Sequence, residues 1–512
     1  MDLTGVIQHH ARYRPDAPAV SFEGQSLDWR AFDARANRLA VALQRAGVVP
    51  GDRVATVLGN CLELLEIYWA CARLGAVAVP LSPLLMQAGI ASLLADAEPK
   101  AVFAGPATVA ATAEACAGLP GVTIRIAVET TASGFTPYAD FTANGDGPPL
   151  RAVVQPDDAY NIMYTSGTTG LPKGIVLTHR IRSLYVTLMA NALRISSESV
   201  VLHTGAIVFN GAFITLMPSF GLGARYVLHR TFDPAAFIET VARERVTHVM
   251  VVPSQIVAIL NSPAFSAEKL ASLQCLLSLG APLAVAQKEQ LEAALPGRFQ
   301  EIYGLTEGFL TVLSRADALR KRGSVGIPQD FAELRIVRDD GSDAATDEIG
   351  EIVGRGPFLM PGYYRRPDLT RQTIRDGWLY TGDLGRVDAD GYLYLVDRKK
   401  DMIDSGGVKV YPKDIEEVIA RHPAVAEAVV FGIPDEKWGE TPLAAAVLKV
   451  DAGGTGTPSP AELKDWINDR VAARFQRVSR VIIVPEFPRN AAGKILKREM
   501  REPFWAHHGT RI

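Results

Sequence analysis

Two rhythms of apolar residues alternate through the first half of the chain. Short apolar runs such as residues 53–58 (RVATVL) and 246–252 (VTHVMVV) have the length and composition of buried strands. Between such runs, stretches like residues 31–46 repeat apolar side chains at helical spacing. This alternation predicts α/β layers around one or more sheets. From Glu333 the pattern shortens to ELRIV, EIVGRG and GYLYLVDR, separated by turns, which predicts a β-rich subdomain ending at the basic triplet Arg398-Lys399-Lys400. Beyond it, residues 412–419 and 461–475 read as helices and 424–432 and 441–449 as strands. Residues 451–460, rich in Gly, Thr and Pro, read as an exposed loop. The expected architecture is α/β: a large N-terminal domain over 1–397, built of layered α/β subdomains plus the β-rich one, then a boundary at 398–400 and a small α+β domain over 401–512.

Composition narrows the function classes. The 512 residues are 48% hydrophobic and 21% charged, the balance of a globular chain with an ample core. Lys plus Arg number 53 against 56 Asp plus Glu, a net charge of −3, so no overall field gathers nucleic acid. The uncharged stretches 74–95 and 204–224 are interrupted by Pro80 and Pro83, and by Asn210, Pro218 and four glycines, so no integral membrane association is expected. Cys61, Cys71, Cys116 and Cys275 form no CxxC pair, and the first residues show no secretory pattern, so a reduced, cytoplasmic protein is expected. GxSxG is absent and GLGAR at 221–225 lacks the last glycine of GxGxxG, which removes the main support for serine-hydrolase and dinucleotide chemistry.

The densest chemical signal is YTSGTTGLPKG at 164–174, after the apolar segment 160–164 and before a helix-like run from Leu177. Glycines let a backbone approach a ligand closely, hydroxyl and amide donors suit phosphate oxygens, and Lys173 adds a positive charge. Pro172 stands where a Walker A loop needs its second glycine, so this is a different phosphate loop or, taken alone, a flexible Ser/Thr/Gly turn.

Three further segments follow in order: YGLTE (303–307), YTGD (380–383) and PRNAAGK (488–494). Together with LDWRAFDARANRLA (27–40) and ARLGAVAVPLSP (72–83), they resemble the adenylate-forming superfamily of acyl-CoA synthetases, carrier-linked adenylation domains and luciferases. The resemblance covers nearly the whole chain. It implies an AMP-forming acid–CoA ligase using ATP, Mg2+ and CoA on a fatty or aromatic acid. In it Thr165, Ser166, Gly167, Thr168, Thr169, Gly170 and Lys173 hold the phosphates, Glu307 binds Mg2+, and Thr306 and Gly304 border the reacting groups. A single glutamate suffices chemically, since Mg2+ uses one or two carboxylates plus phosphate oxygens. Gly280, Ala281, Pro282 and Tyr303 take the adenine, Asp383 accepts the ribose hydroxyls with Arg398 beside it, and Lys494 orients the acid and stabilises the charge of adenylation.

The resemblance also implies that the small domain is mobile and turns on a hinge at Lys400, exchanging Lys494 for Ser405, Gly406 and Gly407 to admit the thiol. Trp438 borders the pantetheine channel, and Phe475 and Arg477 meet the CoA nucleotide; here the chain reads FQRVSR, without the Pro-Lys pair common at that point. Phe209, Asn210 and Gly211 match the acid site, with Asn210 where acyl- and aryl-CoA ligases often carry His and amino-acid-activating relatives Asp. A neutral amide cannot pair an ammonium, which disfavours an α-amino acid. Phe213, Leu216, Met217, Phe309 and Leu310 suit an apolar cavity or ordinary core. Two alternatives stand beside CoA ligation: loading a separate carrier protein, and nucleotide binding without catalysis. The expected partners are a small carboxylic acid and CoA, and the chain is compatible with a homodimer.

Overall fold

A computed structural model describes residues 2–165, 173–281, 283, 285–406, 408–449, 457–489 and 495–506. Among these residues the chain forms four sheets. The first has seven strands, ordered Thr136–Pro137, Ile124–Ala127, Ala101–Ala104, Arg53–Val57, Val77–Leu81, Ala159–Thr165, Lys173–Thr178. Its pairings are parallel except the last, where Ala159–Thr165 and Lys173–Thr178 run antiparallel with Thr165 opposite Lys173. The second has nine strands, parallel through its middle and antiparallel at both edges.

Helix Trp29–Arg45 shows how the sequence builds the layer between them. Asp28 accepts a hydrogen bond from the Ala31 N–H at 2.7 Å and so caps its start. Trp29, Phe32, Ala36, Leu39, Ala40 and Leu43 recur at three- and four-residue spacing and are all fully buried. That stripe packs on helix Leu62–Leu74, which Gly75 ends in the left-handed region at φ 71°.

The third sheet is antiparallel and contains Glu333–Val337, Gly350–Arg355, Trp378–Val387, Ile374–Arg375 and Leu393–Arg398, the expected β-rich unit. After a turn at 399–402 the fourth sheet begins, with Ile403–Ser405, Val408–Val410, Gly439–Leu448, Val425–Asp435 and Arg480–Ile483. Helix Pro412–Ile419 lies where its sequence pattern places it.

Two elements differ from expectation. Residues 173–178 are a strand and the helix starts at His179, because Ile175 and Val176 continue the β ladder and Thr178 caps the helix by accepting from Ile181 N–H at 3.2 Å. The helix expected over 461–475 is Pro460–Asn468. Its apolar stripe, Leu463 and Ile467, ends there, and the Asn468 side chain exchanges two hydrogen bonds with the Val478 backbone instead of continuing the turn. Of the expected loop 451–460, residues 451–456 lie outside the described residues. Among the described residues no helix is long and apolar enough to cross a membrane.

Candidate active site

Thr165 ends one strand and Lys173 starts its antiparallel neighbour, so the two sit opposite each other at a sheet end. Ser166, Gly167, Thr168, Thr169 and Gly170, which link them, lie outside the described residues, as do Pro282, Gly407 and Lys494.

Glu307 sits on a tight turn closed by Gly308 N–H donating to the Leu305 carbonyl at 3.1 Å. Gly308 has φ 112°, and a Cβ there would overlap the Phe358 carbonyl oxygen, so only glycine permits the turn to dock on residues 358–360. In the docked turn Thr306 and Glu307 are both half-buried. Tyr363 donates its phenol O–H to Glu307 Oε1 at 2.8 Å. Its ring also lies 5.9 Å from Lys173 Nζ, within cation–π range. One tyrosine thus couples the Lys173 cation to the Glu307 anion. Burial, with the Glu307 carboxylate second, pushes the Tyr363 phenol well above its ordinary pKa, which keeps it a donor. The sequence reading did not single out Tyr363; the only trace is two adjacent tyrosines in GYYRR, with no periodicity to mark them.

A second cluster lies beside the first. Tyr303 donates to Asp383 Oδ2 at 2.8 Å, and Arg398 Nε stands 3.5 Å from Asp383 Oδ1. Asp383 and Arg398 are direct partners in the antiparallel ladder, so the strand pairing itself juxtaposes them. Gly304 closes the strand that carries Tyr303; a Cβ on it would come within 2.7 Å of Leu310 Cβ. Gly280, at φ 99°, and Ala281 are exposed just past the neighbouring strand Cys275–Leu279. Lys400, in the 399–402 turn, feels the charges of both Asp383 and Lys173.

Phe209 precedes a single 3-10 turn, Asn210–Ala212. A Cβ on Gly211 would approach Leu279 Cδ2 to 2.8 Å, so the turn packs tightly beside the strand end leading to Gly280. Asn210 Nδ2 donates to the Tyr185 hydroxyl at 3.5 Å, and Asn210 Oδ1 is buried without a partner among the described residues. Phe213, Leu216, Met217, Phe309 and Leu310 are all buried members of hydrophobic clusters, so they are core under the site. The sequence pattern alone does not separate core from cavity wall.

Beyond the 399–402 turn, Ser405 pairs with Gly439, and Gly406 N–H donates to the Trp438 carbonyl at 2.7 Å. Gly406 has φ 65°, and its absent Cβ would lie 2.6 Å from the Trp438 ring, which is itself 49% exposed. Phe475, in the turn Arg474–Gln476 that packs on Val408–Val410, and Arg477 are exposed. This part is held to the third sheet by polar contacts. Lys413 donates from Nζ to the Leu395 carbonyl at 2.6 Å and from its backbone to Asp397 Oδ2 at 3.1 Å. Lys399 bridges Glu351 and Asp339 at 3.1 and 3.2 Å, and Lys409 meets Asp339 at 3.4 Å. Burial disfavours the Lys497 ammonium, yet Glu416, 2.8 Å away, and Asp397 hold its pKa above the ordinary value.

Comparison with known proteins decides the family. The pattern described as AMP-binding enzyme matches residues 7–364, and that of the AMP-binding enzyme C-terminal domain matches 414–494. The chain belongs to the AMP-binding enzyme family. Within this family it is 36% identical over 503 residues to a feruloyl-CoA synthase of Amycolatopsis sp, covering 96% of this chain and 97% of that protein. It is 33% identical over 525 residues to the fatty acid–[acyl-carrier-protein] ligase ScoC of Streptomyces coeruleorubidus, covering 100% and 98%. The crystal structure of ATP-bound MatB from Rhodopseudomonas palustris superposes with a TM-score of 0.90 at 28% identity, covering 100% of both chains. Like its relatives, this AMP-binding enzyme is an acid–thiol ligase that uses ATP.

Proposed function

We propose that the protein is a cytoplasmic acid–CoA ligase that adenylates a carboxylic acid with an aromatic or aliphatic body and passes the acyl group to CoA. The observation that carries this reading is the Lys173–Tyr363–Glu307 chain standing beside Tyr303–Asp383–Arg398. One cluster offers a cation and an anion for phosphates and their metal, the other a carboxylate for ribose hydroxyls.

In the first step a carboxylate oxygen bonds to the α-phosphorus of ATP while the bond to the β-phosphate breaks and pyrophosphate leaves. Lys173 and Thr165, with the 166–170 loop, take the phosphates; Lys494 orients the acid and offsets the growing charge. Glu307 fits Mg2+ by its donor chemistry, because Tyr363 engages Oε1 and leaves Oε2 for the ion. Bound there, Mg2+ neutralises phosphate charge. Tyr303 packs on the adenine against Gly280–Pro282, and Asp383 holds the ribose.

In the second step the CoA sulfur bonds to the acyl carbon, the bond to AMP breaks, and the thiol proton leaves to solvent. Residues 398–400 are then the hinge between a 1–397 domain and a 401–512 domain. Turning there brings Ser405, Gly406 and Gly407 to the site, with Trp438 beside the pantetheine arm and Phe475 and Arg477 toward the nucleotide. The decisive assay offers the enzyme free CoA and a phosphopantetheinylated carrier protein side by side with an active acid. Free CoA is expected to accept the acyl group at least about ten times faster; preference for the carrier protein overturns the CoA assignment in favour of carrier loading. In the same reading the enzyme is a homodimer, which light scattering of the purified protein reads directly.

A further inference from the structure

Arg182 is fully buried, and among the described residues both of its terminal nitrogens lack an acceptor. Its Nε donates to Asn161 Oδ1 at 3.1 Å, and its guanidinium lies 4.1 Å from the Phe213 ring centre and 5.0 Å from that of Tyr185. Arg73, also buried, has Asp33 as its ion-pair partner; Arg182 has aromatic rings, an amide and the nearby Tyr160 and Tyr68 phenols, and no carboxylate partner among the described residues. Burial lowers its pKa to about 10, so it remains a cation at neutral pH. An uncompensated buried charge is costly, and an apolar side chain would fill the same space without that cost. The charge therefore implies a counter-group that arrives from outside the described chain.

The location says what that group belongs to. Tyr185, on which Arg182 stacks, receives the Asn210 amide of the acid site. The Tyr185 ring also packs 4.6 Å from Phe358, the residue against which the Glu307 turn docks. Phe213, the other ring, directly follows the Asn210–Ala212 turn. Arg182 thus lies against the tyrosine that meets the Asn210 amide of the proposed acid site.

Building on the proposed acid site, we propose that the substrate carries a second carboxylate at the end remote from the one that is activated, and that Arg182 receives it. The two terminal nitrogens of a guanidinium match the two oxygens of a carboxylate, and a full negative charge offsets the buried cation where a hydroxyl or ester does not.

The test compares α,ω-dicarboxylic acids, aliphatic and aromatic, with their monomethyl esters in acid-dependent ATP–pyrophosphate exchange. Wild-type enzyme is expected to favour the best diacid over its ester by about 30- to 100-fold in kcat/KM, the range for a buried charged pair. Arg182→Gln is expected to raise KM for the diacid by a similar factor and to leave the ester within about threefold, with Arg182→Lys intermediate. Equal wild-type values for diacid and ester overturn the proposal, whether or not the variants fold, and so does an equal loss on both substrates in folded Arg182→Gln. In either case exchange with esters shows that the ligase reading stands. If no acid of either kind supports exchange, the ligase reading falls and this inference with it.

Discussion

Tyr303 donates a hydrogen bond from its phenol to Asp383 Oδ2 at 2.8 Å, tying the nine-stranded sheet to the antiparallel sheet of residues 333–398. The bond spans 80 positions of sequence, and it fixes the carboxylate that Arg398 flanks from the facing strand. Burial, then the Asp383 charge, raises the Tyr303 pKa well above its usual value, so the bond keeps its direction through the neutral range.

Asp383→Asn keeps the size but gives up the charged acceptor shared by Tyr303 and Arg398 and, in the proposed site, by the ribose. The KM for ATP is expected to rise about tenfold, in line with a hydrogen bond to a charged group. The KM for the acid should change little. Steady-state kinetics in each substrate checks the split.

Glu307→Gln removes the charge a hard cation prefers and Tyr363→Phe removes only the O–H that orients Glu307. Adenylation is expected to fall by about two orders of magnitude in the first and about one in the second. Magnesium titrations should show a higher midpoint for both, with circular dichroism unchanged.

Gly406→Ala places a methyl group against the Trp438 ring and forces alanine to φ 65°. Thioester formation from supplied acyl-adenylate is expected to fall tenfold or more, and pyrophosphate exchange less than about threefold. Lys494→Ala should do the opposite, depressing adenylation by about two to three orders of magnitude while sparing the second step. Lys400→Pro, which fixes φ at the proposed hinge, should fall with Gly406→Ala. Equal losses in both half-reactions for all three variants would contradict domain alternation.

His203 is fully buried, both ring nitrogens lack partners among the described residues, and burial lowers its pKa from 6.5 to about 4. The unfolded chain takes up this proton near 6.5 and the native one only near 4. The contribution is therefore complete above 6.5 and is lost as pH falls toward 4. Between pH 7 and pH 5 the loss is about 2 kcal/mol. In urea unfolding at these two pH values, His203→Phe is expected to lose less stability than wild type by roughly that amount. An unchanged pH slope contradicts it.

The motifs were legible because each places charge or glycine at fixed spacing: YGLTE begins at the end of strand Phe299–Gly304, and YTGD lies within strand Trp378–Val387 with Asp383 opposite Arg398. Tyr363 and Arg182 were not legible for a shared reason. Tyr363 acquires its role by meeting Glu307 56 residues away, and Arg182 reads in sequence as a surface cation at a helix start until packing buries it under Phe213 and Tyr185. The 173–178 strand was hidden because a six-residue run with three β-branched residues does not declare its period. Phe213, Leu216 and Met217 are apolar at helical spacing, a pattern shared by core and pocket wall.

The central claim is that activation by adenylation precedes and does not need the thiol. The direct measurement is exchange of labelled pyrophosphate into ATP by purified enzyme with an active acid, with and without CoA, followed by identification of the nucleotide product. The account predicts acid-dependent exchange without CoA, and AMP, pyrophosphate and acyl-CoA once CoA is added. Formation of ADP and phosphate, or exchange that appears only when CoA is present, contradicts it.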